Sequence, residues 1–277
     1  MSRVLILALG CPLVMLSLAA RPDDVPDNLD DWYVVESPEV GDQHRIANYD
    51  SQTNWEVRLD GDHAKVALQG PRQVPIGFPP ELAAQAIKPR SKGTQTEIKV
   101  ENGWIVSVNA GEFGGSLRWY STDGKEQYQI SDENIKGFVP TKSGLLTLEG
   151  LAHLGLDRGS LGRLVRGEDG RWSSERFVDL GRAPSVAVKD TDESLIVATN
   201  QSLLKVDLAT KKVDVLLDHA FWYGLYPNSI VITPKGTIWL GMRHGVAKVE
   251  KVGPSYRMKW LVPSKAVADQ KFDPRFE

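Results

Sequence analysis

The chain's histidines are His44, His63, His153, His219 and His244. Imidazole moves protons near neutral pH and ligates metals, so three of them meeting at one place would supply an acid/base or metal group. Arg158, Arg182 and Arg243 present planar forks of donors that match a carboxylate or other anionic group. Glu112 and Asn228 could serve as oxygen ligands, and Asn200 stands on an exposed corner as a binding candidate. Trp222, Tyr223 and Tyr226, in the stretch DHAFWYGLYPN, divide between packing and forming an aromatic wall for a ligand. Each of these also has a plainer reading. His153 sits among leucines and would be buried, its nitrogens satisfied by backbone, while Arg158 and Arg243 would be solvated or paired with neighbouring carboxylates.

Recognised catalytic patterns are scarce. HExxH, a cysteine pair, a GxSxG elbow and a Walker loop are all missing. Gly159-Ser160-Leu161-Gly162 is only part of an elbow and falls in a β hairpin. Gly111, Gly114 and Gly115 lead into no helix, so they read as a flexible corner and not a phosphate loop. No cofactor and no resident metal are expected.

What must position these side chains is an internal repeat. Four segments share the order apolar strand, tight turn, apolar strand, polar corner, alternating strand, turn, closing strand. The second strands begin at Trp104, Leu145 and Leu195, with Ile238 aligned, at spacings of 41, 50 and 43 residues. Asn102-Gly103, Lys142-Ser143-Gly144, Asp190 to Glu193 and Pro234-Lys235-Gly236 punctuate the first turns. The second strands are almost continuously apolar, as in strands covered on both faces, whereas third strands such as Leu204-Lys205-Val206-Asp207-Leu208 alternate. A sheet with one buried edge is stabilised by repetition about an axis. The expectation is an all-β fold, a β-propeller of four-stranded antiparallel sheets, with five blades and six as the alternative. A β-sandwich would give no reason for the repeat to stay in phase.

Residues 30–70 read as a degenerate fifth blade made of WYVVES, HRIANY and the hairpin WEVRL-DGDH-AKVALQ, inside a single propeller domain spanning 30–263. The proline-rich stretch 70–95 reads as an insertion with one short helix at ELAAQAIK, and 264–277 as a loose C-terminal tail. Residues 1–20, with Arg3 before an apolar run and Ala19-Ala20 at its end, read as a cleaved signal peptide, with an uncleaved anchor as the alternative. Cys11, the single cysteine, lies inside it, so the mature chain would carry no thiol. The protein is expected to be exported, periplasmic or secreted, and monomeric. A formal net charge of −3 with dispersed basic residues excludes the footprint of a nucleic-acid binder. No later apolar stretch is long enough to span a membrane, so none is expected as a partner after cleavage.

GTIWLGMRHGVAKV resembles the repeats of two-component-regulator and NHL-type β-propellers, in which Gly-x-hydrophobic-Trp-hydrophobic-Gly precedes a corner. YPNSIVITPKGTIWLG is similar to the Pro-Asn-Gly segment of gluconolactonase-like (SMP-type) propellers, whose asparagine is a divalent-metal ligand. Asn228 matches that asparagine and Ser229 replaces the glycine, but the acidic partner motifs are absent.

In such blades the corners between second and third strands and the crossovers between blades share one rim, where loops on a rigid scaffold gather binding residues. That rim would hold Glu112, His153, Arg158, Arg182, Asn200, Trp222, Tyr226, Asn228, Arg243 and His244, with the insertion as a lid. The expected function is a non-catalytic propeller binding a small anionic ligand or a protein partner there. The alternative is a metal-assisted hydrolase or lactonase with Asn228 and Glu112 as oxygen ligands and His153 or His244 as base.

Overall fold

The computed structural model describes residues 28–37, 53–70, 73–87 and 93–264. The expected signal peptide, HRIANY with His44, and the tail from 265 lie outside the described residues. In chain order the first elements are β1 (Tyr33–Val35), the hairpin β2 (Trp55–Asp60) and β3 (His63–Leu68), and helix α1 (Pro80–Ile87). Four repeated sheets follow. Blade I is β4 (Thr94–Val100), β5 (Gly103–Asn109), β6 (Gly115–Tyr120) and β7 (Gln127–Ser131). Blade II is β8 (Ile135–Thr141), β9 (Gly144–His153), β10 (Leu156–Arg166) and β11 (Trp172–Asp179). Blade III is β12 (Pro184–Thr191), β13 (Ser194–Thr199), β14 (Leu203–Asp207) and β15 (Val213–Leu217), and blade IV is β16 (Ser229–Ile232), β17 (Ile238–Met242), β18 (Gly245–Val252) and β19 (Ser255–Val262). All pairings within blades are antiparallel between sequence neighbours, as an up-and-down propeller blade requires.

The second strands are the buried ones because each face packs on a different neighbour. Leu195 and Val197 of β13 join Leu146, Leu148 and Leu161 of blade II, while Ile196 and Ala198 join Leu240, Met242 and Ala247 of blade IV. The same alternation puts Ile105 and Leu117 against Ile135 and Leu164 between blades I and II. First strands meet first strands, β4 on β8, β8 on β12 and β12 on β16, so they lie innermost. On the far face of blade IV, Trp55, Val57 and Val66 of the hairpin pack on Trp239, Val246 and Leu261.

Two expectations are corrected. WYVVES does not open a fifth blade. Tyr33, Val34 and Val35 pair with Val262, Leu261 and Trp260, making β1 a fifth strand on the outer edge of blade IV. An outer edge left open would expose unpaired backbone donors and acceptors, and β1 takes them up. Trp32 then meets Trp55 edge-on, with ring centroids 4.9 Å apart. Among the described residues, the fifth unit is therefore the two-stranded hairpin alone. The insertion is the other correction, because its described residues pack on the side of blade I and not over the rim. Its expected helix is present as α1, but Phe78 and Leu82 cover Trp104 and Val106 on the blade I face away from blade II. Pro79 also lies against Gly124, in the β6–β7 turn at the opposite rim.

Gly159 shows how tightly a crossover is seated. A Cβ there would lie 2.3 Å from the Arg182 carbonyl oxygen and 2.5 Å from Pro184 Cδ. Backbone cannot yield as a flexible side chain can. Gly159→Ala is expected to lower stability by about 1–3 kcal/mol, the usual cost of overpacking, read as an earlier urea midpoint at unchanged slope.

Candidate functional site

Hydrogen bonds stitch each crossover to the corners beside it. In the first crossover (132–134), the Asn134 side-chain amide donates to the Gly111 carbonyl at 3.1 Å, and the Gly150 N–H donates to the Asn134 carbonyl at 2.9 Å. In the second (180–183), the Ala183 carbonyl accepts from Asn200 N–H. In the third (218–228), Ala220 N–H donates to the Gln201 carbonyl, and the Leu225 carbonyl accepts from Arg243 N–H. Corners and crossovers thus form one continuous rim across blades I to IV.

The rim residues fall into separate groups. The β9–β10 hairpin runs past the sheet edge through a turn at Leu154 and Gly155, so His153 is not buried. Its Nε2 lies 2.6 Å from Glu112 Oε2 across the blade I–II boundary, with the two side chains 40% and 45% exposed. Glu112 also lines a cavity of about 250 Å³ with Gly111, Gly114, Asp132, Glu133, Asn134, Leu151 and Arg158. Arg158 is in no ion pair among the described residues. Asn134 is 6% exposed, and its Oδ1 is buried without a hydrogen-bond partner.

The other two arginines are engaged elsewhere, so the three do not converge on one anion. Arg182 donates from Nη1 to Gln201 Oε1 at 2.9 Å, and its Nη2 lies 3.4 Å from Asp218 Oδ1. The Ser202 hydroxyl, donating at 2.7 Å, is the main cause that holds the Asp218 carboxyl below the usual range, with His219 N–H and Arg182 adding to it. Arg243 lies over the Tyr226 ring at 4.5 Å from the centroid. His244 has a left-handed backbone (φ 67°), and its N–H donates to the Thr53 carbonyl, which ties this corner to the segment entering the hairpin.

Of its two readings Trp222 takes the packing one, so it is corrected as a ligand-contact candidate. It is wholly buried in the blade III–IV core, and its indole N–H donates to the Thr199 carbonyl at 2.8 Å. Tyr226 is exposed, and Tyr223 is partly buried. Asn200 Oδ1 and Asn228 Nδ2 are buried without partners, and Asn228 Oδ1 accepts from the Ser229 hydroxyl. Ser229 Oγ in turn accepts from Val57 N–H, so the serine in place of glycine anchors the hairpin. Neither Asn228 nor Arg243 lines the cavity that Glu112 lines. Among the described residues, no group of three or more His, Cys, Asp and Glu is placed to hold a metal ion.

Sequence reasoning missed a second cavity of about 280 Å³, which shares Glu133 and Arg158 with the first and reaches down between blades I and II to Glu149. Glu149 is 7% exposed. Burial, joined by the nearby Glu133 charge, raises its carboxyl above the ordinary glutamate range, against lowering hydrogen bonds from Thr147, Ser160 and Ser174. The available signal was one carboxylate inside the apolar run Leu145-Leu146-Thr147-Leu148-Glu149.

No family model matches the chain, and no curated protein matches it. Solved structures do resemble it. A catalytically inactive virginiamycin B lyase from Staphylococcus aureus, with quinupristin, is 12% identical at a TM-score of 0.39, over 62% of this chain and 57% of that one. A structural genomics protein of unknown function from Bacteroides thetaiotaomicron is 12% identical at 0.44, over 76% and 64%. An auxiliary nutrient binding protein from the same organism is 12% identical at 0.37, over 57% and 38%. The chain thus spans less than two thirds of each of these proteins, and at this distance the likenesses assign no chemistry.

Proposed function

We propose that the protein is an exported, non-catalytic propeller that binds a small molecule in the rim cavity between blades I and II, with an anionic group of the ligand against Arg158. The observation that carries this reading is an arginine without an ion-pair partner among the described residues, lining a cavity built from two blades and their crossover. The three carboxylates on the same wall, Glu112, Asp132 and Glu133, would repel a densely charged anion. The ligand that suits this cavity therefore carries one anionic group together with hydrogen-bond donors. Arg182 and Arg243 have structural roles in this reading, and His153 with Glu112 borders the site.

Calorimetric titration with small monocarboxylates, including hydroxy acids and amino acids, tests it. A charge-assisted hydrogen bond contributes about 1.5–3 kcal/mol, so Arg158→Ala is expected to weaken a bound carboxylate roughly 10- to 100-fold. Arg182→Ala is expected to leave that affinity within about twofold. A carboxylate that binds Arg158→Ala as tightly as the parent protein would refute the placement.

A further inference from the structure

The wall of the inner cavity is dominated by hydrogen-bond acceptors. Ser131, Glu133, Glu149, Ser160, Ser174, Glu175, Arg158 and Arg176 surround it. Two of the five charged side chains there are already paired within blade II, Glu175 with Arg163 at 2.5 Å and Arg176 with Asp179 at 2.8 Å. Glu133 is in no ion pair among the described residues. Glu149 meets only neutral donors: Thr147 Oγ at 2.7 Å and Ser174 Oγ at 3.5 Å on Oε1, and Ser160 Oγ at 3.3 Å on Oε2. Ser131 Oγ on this wall, and Asn134 Oδ1 on the adjoining rim cavity, are buried oxygens without partners.

The fold also keeps space for the buried carboxylate. A Cβ on Gly162, on the neighbouring strand β10, would lie 2.0 Å from Glu149 Oε1 and 2.4 Å from Thr147 Oγ1. A buried carboxylate whose hydrogen bonds come only from neutral hydroxyls is costly, and a wall rich in acceptors calls for an occupant that brings donors.

We propose that the inner cavity is an ammonium subsite, taking a protonated primary amine between Glu149 and Glu133, with the serine hydroxyls accepting its remaining hydrogens. This deepens the rim reading and rests on it, because Glu133 and Arg158 border both cavities. A ligand spanning the two would be zwitterionic, its amine inward and its anionic group at Arg158. Three donors on one positive nitrogen match this set of oxygens better than a hydroxyl does.

Isothermal titration of the full chain with pentylamine, valerate and calcium chloride tests the assignment. Pentylamine is expected to bind, to weaken at least tenfold in Glu149→Gln and in Glu133→Gln, and to hold or gain affinity in Arg158→Ala. Valerate is expected to show the reverse dependence. Melting curves of both glutamine variants confirm that they are folded. Pentylamine that does not bind, or that binds both glutamine variants equally well, overturns the ammonium subsite. If valerate then still depends on Arg158, the rim reading survives alone, whereas loss of both probes sinks both. Calcium binding that disappears in Glu149→Gln, without amine binding, would make this an inorganic cation site and would also overturn the proposal.

Discussion

Trp222→Ala is expected to destabilise the protein by about 3–5 kcal/mol, the range for truncating a fully buried large aromatic. The indole fills the space between blades III and IV beside Phe221, Leu225, Ala198 and Leu203, and its N–H satisfies the Thr199 carbonyl. Alanine would leave both a cavity and an acceptor without its donor. Trp222→Phe keeps most of the apolar packing and loses the hydrogen bond with the rest of the volume, so about a third of the effect should remain. Equilibrium denaturation in urea measures both. A loss under about 1 kcal/mol for alanine would mean that the crossover is not anchored as described, and would return Trp222 to the list of ligand contacts.

Glu149→Gln is expected to stabilise the protein at neutral pH, by about 1–2 kcal/mol, the scale of relieving a poorly compensated buried polar group. For a domain of this size that corresponds to a rise in Tm of roughly 2–8 °C. The sign follows from proton linkage. Burial raises the Glu149 carboxyl in the folded state above its ordinary value of about 4.5, so the folded protein holds the proton more tightly than the unfolded chain. Its contribution to stability is fully present below that ordinary value and declines as pH rises through the raised one. The variant and the parent should therefore have similar stability near pH 4 and diverge towards pH 7. Parallel pH profiles, or a variant less stable than the parent at pH 7, would contradict this account. A residue whose replacement stabilises the fold while abolishing amine binding would show a site maintained at a cost to stability.

Much of the architecture was legible because its causes are local. Apolar runs such as Leu195 to Thr199 must be covered on both faces, and glycine-bearing turns fix where the chain reverses. The pairing of β1 with β19 was not legible, since three residues carry no signal of a partner strand at the far end of the chain. The rim candidates could be assigned to their rim from repeat phase alone. Their partners could not, because Arg182 meeting Asp218 and Arg243 lying over Tyr226 depend on the path of the long crossover between blades III and IV. Glu149 was hidden for a related reason. Alternation puts it on the face with Leu145 and Thr147, but only the packed structure brings Ser131 and Glu133 of the preceding blade and crossover against that face.

The fifth strand of the last sheet has a consequence for the order of folding. β1 precedes the four blades in the chain and its partner β19 closes the last of them, so that sheet stays incomplete until the segments on both sides of the blades come together. Blades I to III need only sequence-adjacent pairings, whereas the β1–β19 pairing has to close a loop of more than two hundred residues. Until it closes, the outer edge of blade IV keeps unpaired backbone donors and acceptors, a sheet edge on which another chain could pair.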